Sequence, residues 1–195
     1  MKIIVLNKDN YSQKRWDGGI TTQLLILPTK ANYAKLNFRL RISKASITAP
    51  QSIFSSLQGV KRNLLFLEGA SLLTISRKKH QLLLPGDEIN FKGDLPIQCK
   101  GKGKDFNVML IGDGKTSSQL LALEKGECIE LDQTTSGQFL FLHANKGDIK
   151  VGIGNENYIL KQEMSLYINE LNEEVLISIE AKKAAEVILA EVLLK

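Results

Sequence analysis

Alternation of apolar and polar residues with a period of two is the feature that most constrains the fold of this chain. Residues 38–43, FRLRIS, alternate strictly, which places Leu40 and Arg41 on opposite faces of one strand. Short apolar runs recur along the chain between clusters of Gly, Asn, Asp or Lys. Many short strands at such spacing predict an all-β barrel or sandwich. The pattern leaves open whether Leu40 or Arg41 points to the interior.

The segment 181–194 departs from this pattern. Its Ala, Glu, Lys and Leu residues favour a helix. The apolar run VILAEVLL within it would also suit a buried final strand. Both alternatives stay open at this point.

An internal repeat predicts two β units. LFLEGASLLTI at 65–75 and LFLHANKGDIKVGI at 140–153 each read as strand, tight turn and strand, about 75 residues apart. The sequence GDGKTSS at 112–118 suits a linker between the units. We therefore predict an N-terminal domain over residues 1–112 and a C-terminal domain over residues 113–195.

Composition excludes several classes of partner. The net charge of +5 is mild, and the basic residues form no stripe with interleaved aromatics, so we predict no nucleic-acid partner. No apolar run approaches the length of about 18 residues that a membrane span needs, so we predict no membrane partner. The two cysteines lack a CxxC spacing and a secretory context, which predicts reduced thiols and a cytoplasmic protein.

Metal and cofactor motifs are weak. His80 and His143 are the only histidines, and they lie far apart in sequence, which excludes a His-rich metal site by count but leaves a mixed carboxylate site open. The sequence GIGNEN at 152–157 lacks the third glycine and the βαβ setting of a dinucleotide site. We predict no metal and no cofactor.

Several polar side chains suit a small ligand that carries a carboxylate. Arginines offer guanidinium forks, which match a carboxylate in shape and charge, and nearby carboxylate, amide and hydroxyl groups orient it. Each residue alone also suits a surface strand or a barrel rim. The candidate ligand-binding residues are Trp16, Thr21, Arg41, Ser43, Arg62, Asp94, Asp105 and Asn107.

Six segments in order resemble the HutD/Ves family of bicupin-like proteins. They are WDGGITTQL (16–24), LRISKA (40–45), FSSLQGVKR (54–62), FLEG (66–69), FKGD (91–94) and DFNVML (105–110). Leu40 stands where the family often has tryptophan, and Gln58 replaces the proline before Gly59. The resemblance implies two cupin-like β-barrel or jelly-roll domains without metal-binding histidines. It also implies a regulatory role in histidine utilisation, with urocanate or formiminoglutamate as ligand.

The leading prediction is a metal-independent bicupin that binds a small carboxylate and regulates amino-acid catabolism. The first alternative is a metal-free isomerase or lyase, which needs an acid–base pair such as Asp94 with Asp105 or Glu68. The second is a β module with a structural or partner-binding role. Exposed strand edges would also allow a homodimer.

Overall fold

The chain is built almost entirely of β-strands. The computed structural model describes residues 1–133, 138–171 and 175–194. The strands are β1 (Lys2–Leu6), β2 (Ser12–Trp16), β3 (Gly19–Leu27), β4 (Leu40–Ile47), β5 (Gln51–Ile53), β6 (Val60–Ile75), β7 (Lys79–Leu83), β8 (Glu88–Lys92), β9 (Ile97–Ile111), β10 (Gly114–Leu123), β11 (Cys128–Gln133), β12 (Gln138–Lys146), β13 (Ile149–Ile153), β14 (Glu156–Leu160), β15 (Ser165–Leu171), β16 (Val175–Ala181) and β17 (Ala185–Leu194). Two short 3₁₀ helices, Lys8–Asn10 and Tyr33–Lys35, interrupt them. The all-β prediction is confirmed.

The described strands form two compact units. The first unit is Asn10–Ser118, and the second combines Met1–Asp9 with the described part of Gln119–Lys195. This division differs from 1–112 and 113–195 at the N-terminus because β1 pairs antiparallel with β15 in a sheet of the second unit. It differs at the predicted linker because β10 already begins at Gly114.

A long ladder between β6 and β9 organises the first unit. The two strands pair antiparallel from Val60↔Ile111 to Ile75↔Ile97, with an irregularity between Phe66 and Glu68. β4 and β5 pair with successive parts of β9, and β8 and β7 pair with the corresponding parts of β6. The sheet continues outward from β4 through β3 to β2.

Residues 65–75 lie within the single strand β6, so the turn predicted there is wrong. The sequence Glu68-Gly69 directly follows a bulge at Leu67, and Gly69 has a φ of 84° while it pairs with Gly103. A Cβ on Gly69 would lie 2.3 Å from the Lys102 carbonyl oxygen. Glycine supplies the positive φ of a turn and of a bulge alike, so the local sequence does not distinguish them. The matching segment 140–153 forms the predicted strand, turn and strand as β12 and β13.

Two sheets of jelly-roll type make up the second unit. One has the order β1-β15-β12-β17-β10 and the other β11-β16-β13-β14. The segment 185–194 is a strand, because Val187, Ile188, Leu189 and Ala190 are all buried and pair with β12. A strand buried on both faces takes a continuous apolar run, and this packing overrides the helix propensity of the composition.

None of the described residues belongs to a helix that is long and apolar enough to cross a membrane. The cytoplasmic location, the homodimer and the absence of a nucleic-acid partner stay predictions.

Candidate ligand-binding pocket

A cavity of about 180 Å³ lies within the first unit. It is lined from the strands β2, β3, β4, β5, β6 and β9, from the segment after β5 and from the 3₁₀ helix Tyr33–Lys35. The predicted site residues in its lining are Trp16, Thr21, Arg41, Ser43, Arg62, Asp105 and Asn107.

Strand pairing brings these residues onto one face. On β9, Asn107 lies opposite Ser43 and Met109 lies opposite Arg41. The next strand places Arg62 opposite Met109 as well. Because neighbouring strands are about 4.8 Å apart, the backbones of the two arginines flank Met109 at about 10 Å from one another. Side chains from β4, β6 and β9 thus share one wall.

Arg41 is held by contacts on several sides. Its Nε donates to Gln23 Oε1 at 2.9 Å, and its Nη1 donates to Ser43 Oγ at 3.2 Å. The guanidinium carbon lies 4.2 Å from the centroid of the Tyr33 ring. Burial lowers the pKa of Arg41, and Tyr33 opposes that shift. These contacts fix the direction of the side chain.

Arg62 is flanked by two aromatic rings. Its guanidinium carbon lies 4.9 Å from the Phe54 centroid and 5.1 Å from the Phe91 centroid. Burial lowers the pKa of Arg62 to about 10, while the Asp105 charge acts in the opposite direction. The group stays charged at neutral pH. Cation–π contacts of this kind contribute roughly 0.5–2 kcal/mol each.

Two polar atoms in the pocket lack partners within the described part of the chain. They are Nε of Arg62 and Oδ1 of Asn107, and both atoms are buried. Buried polar atoms of native proteins are nearly always hydrogen-bonded to protein, to water or to a ligand. Water or a bound molecule would satisfy these two atoms.

Asp105 brings a buried carboxyl group to the same wall. It is 4% exposed and lies opposite Ala45 on β4 and Phe66 on β6. Burial raises the pKa of Asp105 to about 7, although the charge of Arg62 counteracts the shift. Near pH 7 the group exists in both protonation states.

Trp16 and Thr21 form the rim on the β2–β3 hairpin. The Trp16 indole Nε1 donates to Thr21 Oγ1 at 3.1 Å. A Cβ at Gly18 would meet the Trp16 ring at 1.8 Å, so only glycine lets the ring fold over this turn. The indole thus lies at the pocket with its polar atom satisfied by the hairpin itself.

Asp94 is outside the pocket, so the structure does not bring it together with the other predicted site residues. It lies at an exposed turn between β8 and β9. The neighbouring Gly93 is the buried member of that turn: its N–H donates to the Val60 carbonyl, and its carbonyl accepts from Leu57. These backbone bonds hold the turn against the chain while the Asp94 side chain faces solvent.

Four residues that line the pocket or support its arginines were not predicted as site residues from the sequence. They are Gln23, Tyr33, Phe54 and Phe91, which contact the two arginines. Tyr33 packs in a cluster with Phe38 and Met109 beneath the loop before β4. The only local signal was the aromatic residue beside Asn32, whose side chain accepts from the Ala34 N–H and starts the 3₁₀ helix.

The histidines lie away from the pocket. His80 is exposed on β7, with Nδ1 3.0 Å from Thr74 Oγ1. His143 is buried in the second unit, with Nδ1 2.9 Å from Ser165 Oγ. Among the described residues, no three His, Cys, Asp or Glu side chains come together as metal ligands.

Comparison with known proteins assigns the family. The HutD family model matches residues 8–189. The chain belongs to the HutD family. The resemblance carried by the six sequence segments is thereby confirmed. No curated protein sequence matches this HutD family chain.

Solved structures share the fold of this HutD family chain. The conserved protein of unknown function PA5104 from Pseudomonas aeruginosa PAO1 is 20% identical, with a TM-score of 0.83, covering 98% of this chain and 99% of its own. HutD from Pseudomonas fluorescens SBW25 is 21% identical, with a TM-score of 0.68, covering 97% and 98%. The pirin YhhW from Escherichia coli, in complex with nickel(II), is 13% identical, with a TM-score of 0.68, covering 97% and 98%. The shared fold is of the cupin type.

The pocket of this HutD family chain does not fit a metal such as the nickel(II) of that pirin. Among the described lining residues, the charged groups are Lys14, Arg41, Arg62 and Asp105, and no imidazole joins them. Nickel and similar ions prefer imidazole and carboxylate ligands, and adjacent guanidinium groups repel cations. The donor set is that of an anion site.

Proposed function

We propose that the pocket of the first unit binds the carboxylate of a small organic acid. The observation that carries this proposal is the Arg62 guanidinium, which is 7% exposed and whose Nε has no hydrogen-bond partner in the described ranges 1–133, 138–171 and 175–194. A buried unsatisfied donor costs about 1–3 kcal/mol. A carboxylate oxygen is the acceptor that best matches a guanidinium N–H in charge and geometry.

The charge of the lining supports an anionic ligand. Arg41 and Arg62 are both buried there, with the exposed Lys14 at the edge. In the described lining, Asp105 is the one acidic side chain, and burial raises its pKa to about 7, so it offsets this charge only in part. Charges in a partly desolvated cavity interact more strongly than in bulk water. An anion therefore gains more from entering than a neutral analogue does.

The volume limits the size of the ligand. Liquid water occupies about 30 Å³ per molecule. The cavity of about 180 Å³ therefore corresponds to about six water molecules. Ile47 and Phe54 add an apolar wall, and both also pack in the core of the first unit. A small acid with a short flat or apolar body suits this space.

Membership of the HutD family supports histidine utilisation as the setting. The proposed ligands are urocanate and formiminoglutamate, and the proposed role is regulation of that catabolism. Both candidates carry a carboxylate for Arg62 and a nitrogen group for Asn107.

A thermal-shift screen tests the proposal. Urocanate, formiminoglutamate, formate and benzoate are compared at constant ionic strength, with chloride as reference. A ligand at 100 times its Kd stabilises the folded state by about 2.7 kcal/mol. We expect an increase in Tm for at least one acid, and a loss of affinity of about tenfold or more in Arg62→Ala, because a hydrogen bond to a charged group is worth about 1.5–3 kcal/mol.

Arg39→Ala is the matched control. Arg39 is an exposed arginine just before β4, outside the pocket lining, so its removal changes net charge equally. We expect this variant to bind like the natural chain. No shift with any acid, together with unchanged behaviour of Arg62→Ala, would contradict the proposal.

A second candidate function is acid–base catalysis without a metal, by an isomerase or a lyase. One observation favours it: Asp105 lies in the pocket with a pKa of about 7, where a carboxyl group exchanges protons efficiently at neutral pH. Asp94 and Glu68, the other carboxylates of the predicted acid–base pair, lie outside the pocket lining, and Glu68 pairs with Lys104 at 3.0 Å. Turnover of a bound acid that is lost in Asp105→Asn, with binding retained, would favour the enzyme.

A further inference from the structure

Asp105 and the proposed ligand would place two carboxylates beside the same arginine. Asp105 is buried and lines the cavity together with Arg62, and its charge acts on the Arg62 guanidinium. In the free protein, Asp105 is the acidic group near this cation. A ligand carboxylate that binds the Arg62 guanidinium from the cavity enters as a second acidic group in the same desolvated space.

We propose that Asp105 and the ligand carboxylate share one proton in the complex, so that an ionised Asp105 takes up a proton when an acid anion binds. This inference rests on the proposed carboxylate site. The proton comes from solvent and bonds to one carboxylate oxygen, and its O–H donates to the other carboxylate. No covalent bond of the ligand breaks.

The physical reason is repulsion between like charges that burial prevents water from screening. Two carboxylates that share a site cannot both ionise at ordinary pH, and one of them takes a strongly raised pKa. In the free protein, burial already raises the pKa of Asp105 to about 7, with Arg62 in opposition. An anionic ligand adds negative charge beside Asp105 and also binds the Arg62 guanidinium, which otherwise opposes the rise in the Asp105 pKa. Proton uptake on binding is therefore largest above pH 7, where free Asp105 is ionised.

Other groups around Asp105 keep a constant charge or lie apart. Arg41 and Arg62 are cations, and the remaining titratable lining groups in the described chain are Lys14 and Tyr33. Cys99 lies on the same strand, and burial raises the pKa of its thiol, with a further increase from Asp105. Lys104 and Glu68 pair with each other at 3.0 Å. Asp105 is thus the group that exchanges a proton with solvent when the ligand binds.

Calorimetric titration of the full chain with formate and benzoate tests this coupling. Neither probe titrates between pH 6 and pH 9. Heats are measured in two cationic amine buffers of different ionisation enthalpy, which gives the number of protons taken up. We expect up to one proton per ligand at pH 8.5 and little uptake at pH 6. Affinity is expected to fall about tenfold per pH unit above about pH 7.

Two variants separate Asp105 from other causes. Asp105→Asn keeps the shape but holds no exchangeable acid, so we expect affinity constant within about twofold from pH 6 to pH 9, with no proton uptake. Asp94→Asn removes an exposed carboxylate outside the pocket and should behave as the natural chain. The proton count of the natural chain decides the question if Asp105→Asn does not fold.

The outcomes distinguish the two proposals. Binding with a fall in affinity above pH 7 and with proton uptake supports both. Binding without proton uptake at pH 8.5 overturns the shared proton and leaves the carboxylate site standing. No binding of formate, benzoate, urocanate or formiminoglutamate at any pH from 6 to 9 overturns both.

Discussion

Replacing Asp105 with asparagine should stabilise the first unit at alkaline pH and leave it unchanged in acid. Burial raises the pKa of Asp105 from its ordinary 3.8 to about 7. Between these values the folded chain holds a proton that the unfolded chain has lost. The contribution of Asp105 to the free energy of unfolding is therefore greatest at low pH, falls as pH rises through this window, and is constant again above it. Asparagine is neutral at every pH and removes this dependence.

The magnitude follows from the shift. One pKa unit corresponds to about 1.4 kcal/mol. The change in the pKa of Asp105 from 3.8 to about 7 therefore lowers the free energy of unfolding by about 4 kcal/mol between the acid and the alkaline end of this window. Between pH 5 and pH 7 the free energy of unfolding should fall by about 2 kcal/mol in the natural chain relative to Asp105→Asn.

Urea unfolding followed by tryptophan fluorescence measures this difference. Trp16 is the single tryptophan and lines the pocket, so the signal reports the first unit. With a slope of about 1–3 kcal/mol per molar urea, the relative midpoint should move by about 1–2 M between pH 5 and pH 7. Subtracting the variant cancels the titration of the histidines and of exposed carboxylates. A difference that stays within about 0.5 kcal/mol across this range, or that rises with pH, would refute the reasoning.

Two further predictions concern stability. Gly69→Ala should lower the free energy of unfolding by about 3 kcal/mol or more, because a Cβ would lie 2.3 Å from the Lys102 carbonyl oxygen. Gly86 has a φ of 94° with open space around it, so Gly86→Ala should lower the free energy of unfolding by only about 1–2 kcal/mol. Equal losses for the two variants in urea unfolding would contradict the close approach of Gly69 to Lys102. Trp16→Phe and Thr21→Val should each cost about 1 kcal/mol and show a coupling of about 0.5–1.5 kcal/mol in a double-mutant cycle. Additive losses would show that their hydrogen bond contributes nothing.

The alternating pattern predicts the strands but not which face carries the pocket. Leu40 and Arg41 alternate as expected, yet they are 2% and 6% exposed, so both faces of β4 are covered. Alternation separates two faces and identifies the interior only when the other face meets water. The position of Arg41 in the pocket depends on pairing with β3 and β9, which is a long-range property.

Some residues of the site could be predicted from the sequence and others could not. Arg62, Asp105 and Asn107 line the pocket together because β6 and β9 pair along their length. Charged residues within otherwise apolar strands are a usable sequence signal for such a site, because charged side chains are seldom buried without a partner. Asp94 gave the same local signal beside a glycine turn, yet it faces solvent. Tyr33 gave almost none, since its contact with Arg41 arises from the packing of a loop.

Long-range strand pairing also determines the structure at the two ends of the chain. The segment 185–194 is composed of helix-favouring residues but is a strand, because it is buried in a sheet of the second unit. Residues 1–9 belong to that same unit because β1 pairs with β15. Neither pairing is encoded within the segment itself, so local pattern and propensity do not predict it.

A crystal structure of the chain grown with urocanate tests the carboxylate site most directly. The expected result is a carboxylate within hydrogen-bond distance of Arg62 Nε, with Asp105 and Asn107 in contact with the bound acid. Urocanate bound elsewhere, or an ordered protein group or water satisfying Arg62 Nε at saturating acid, would contradict it.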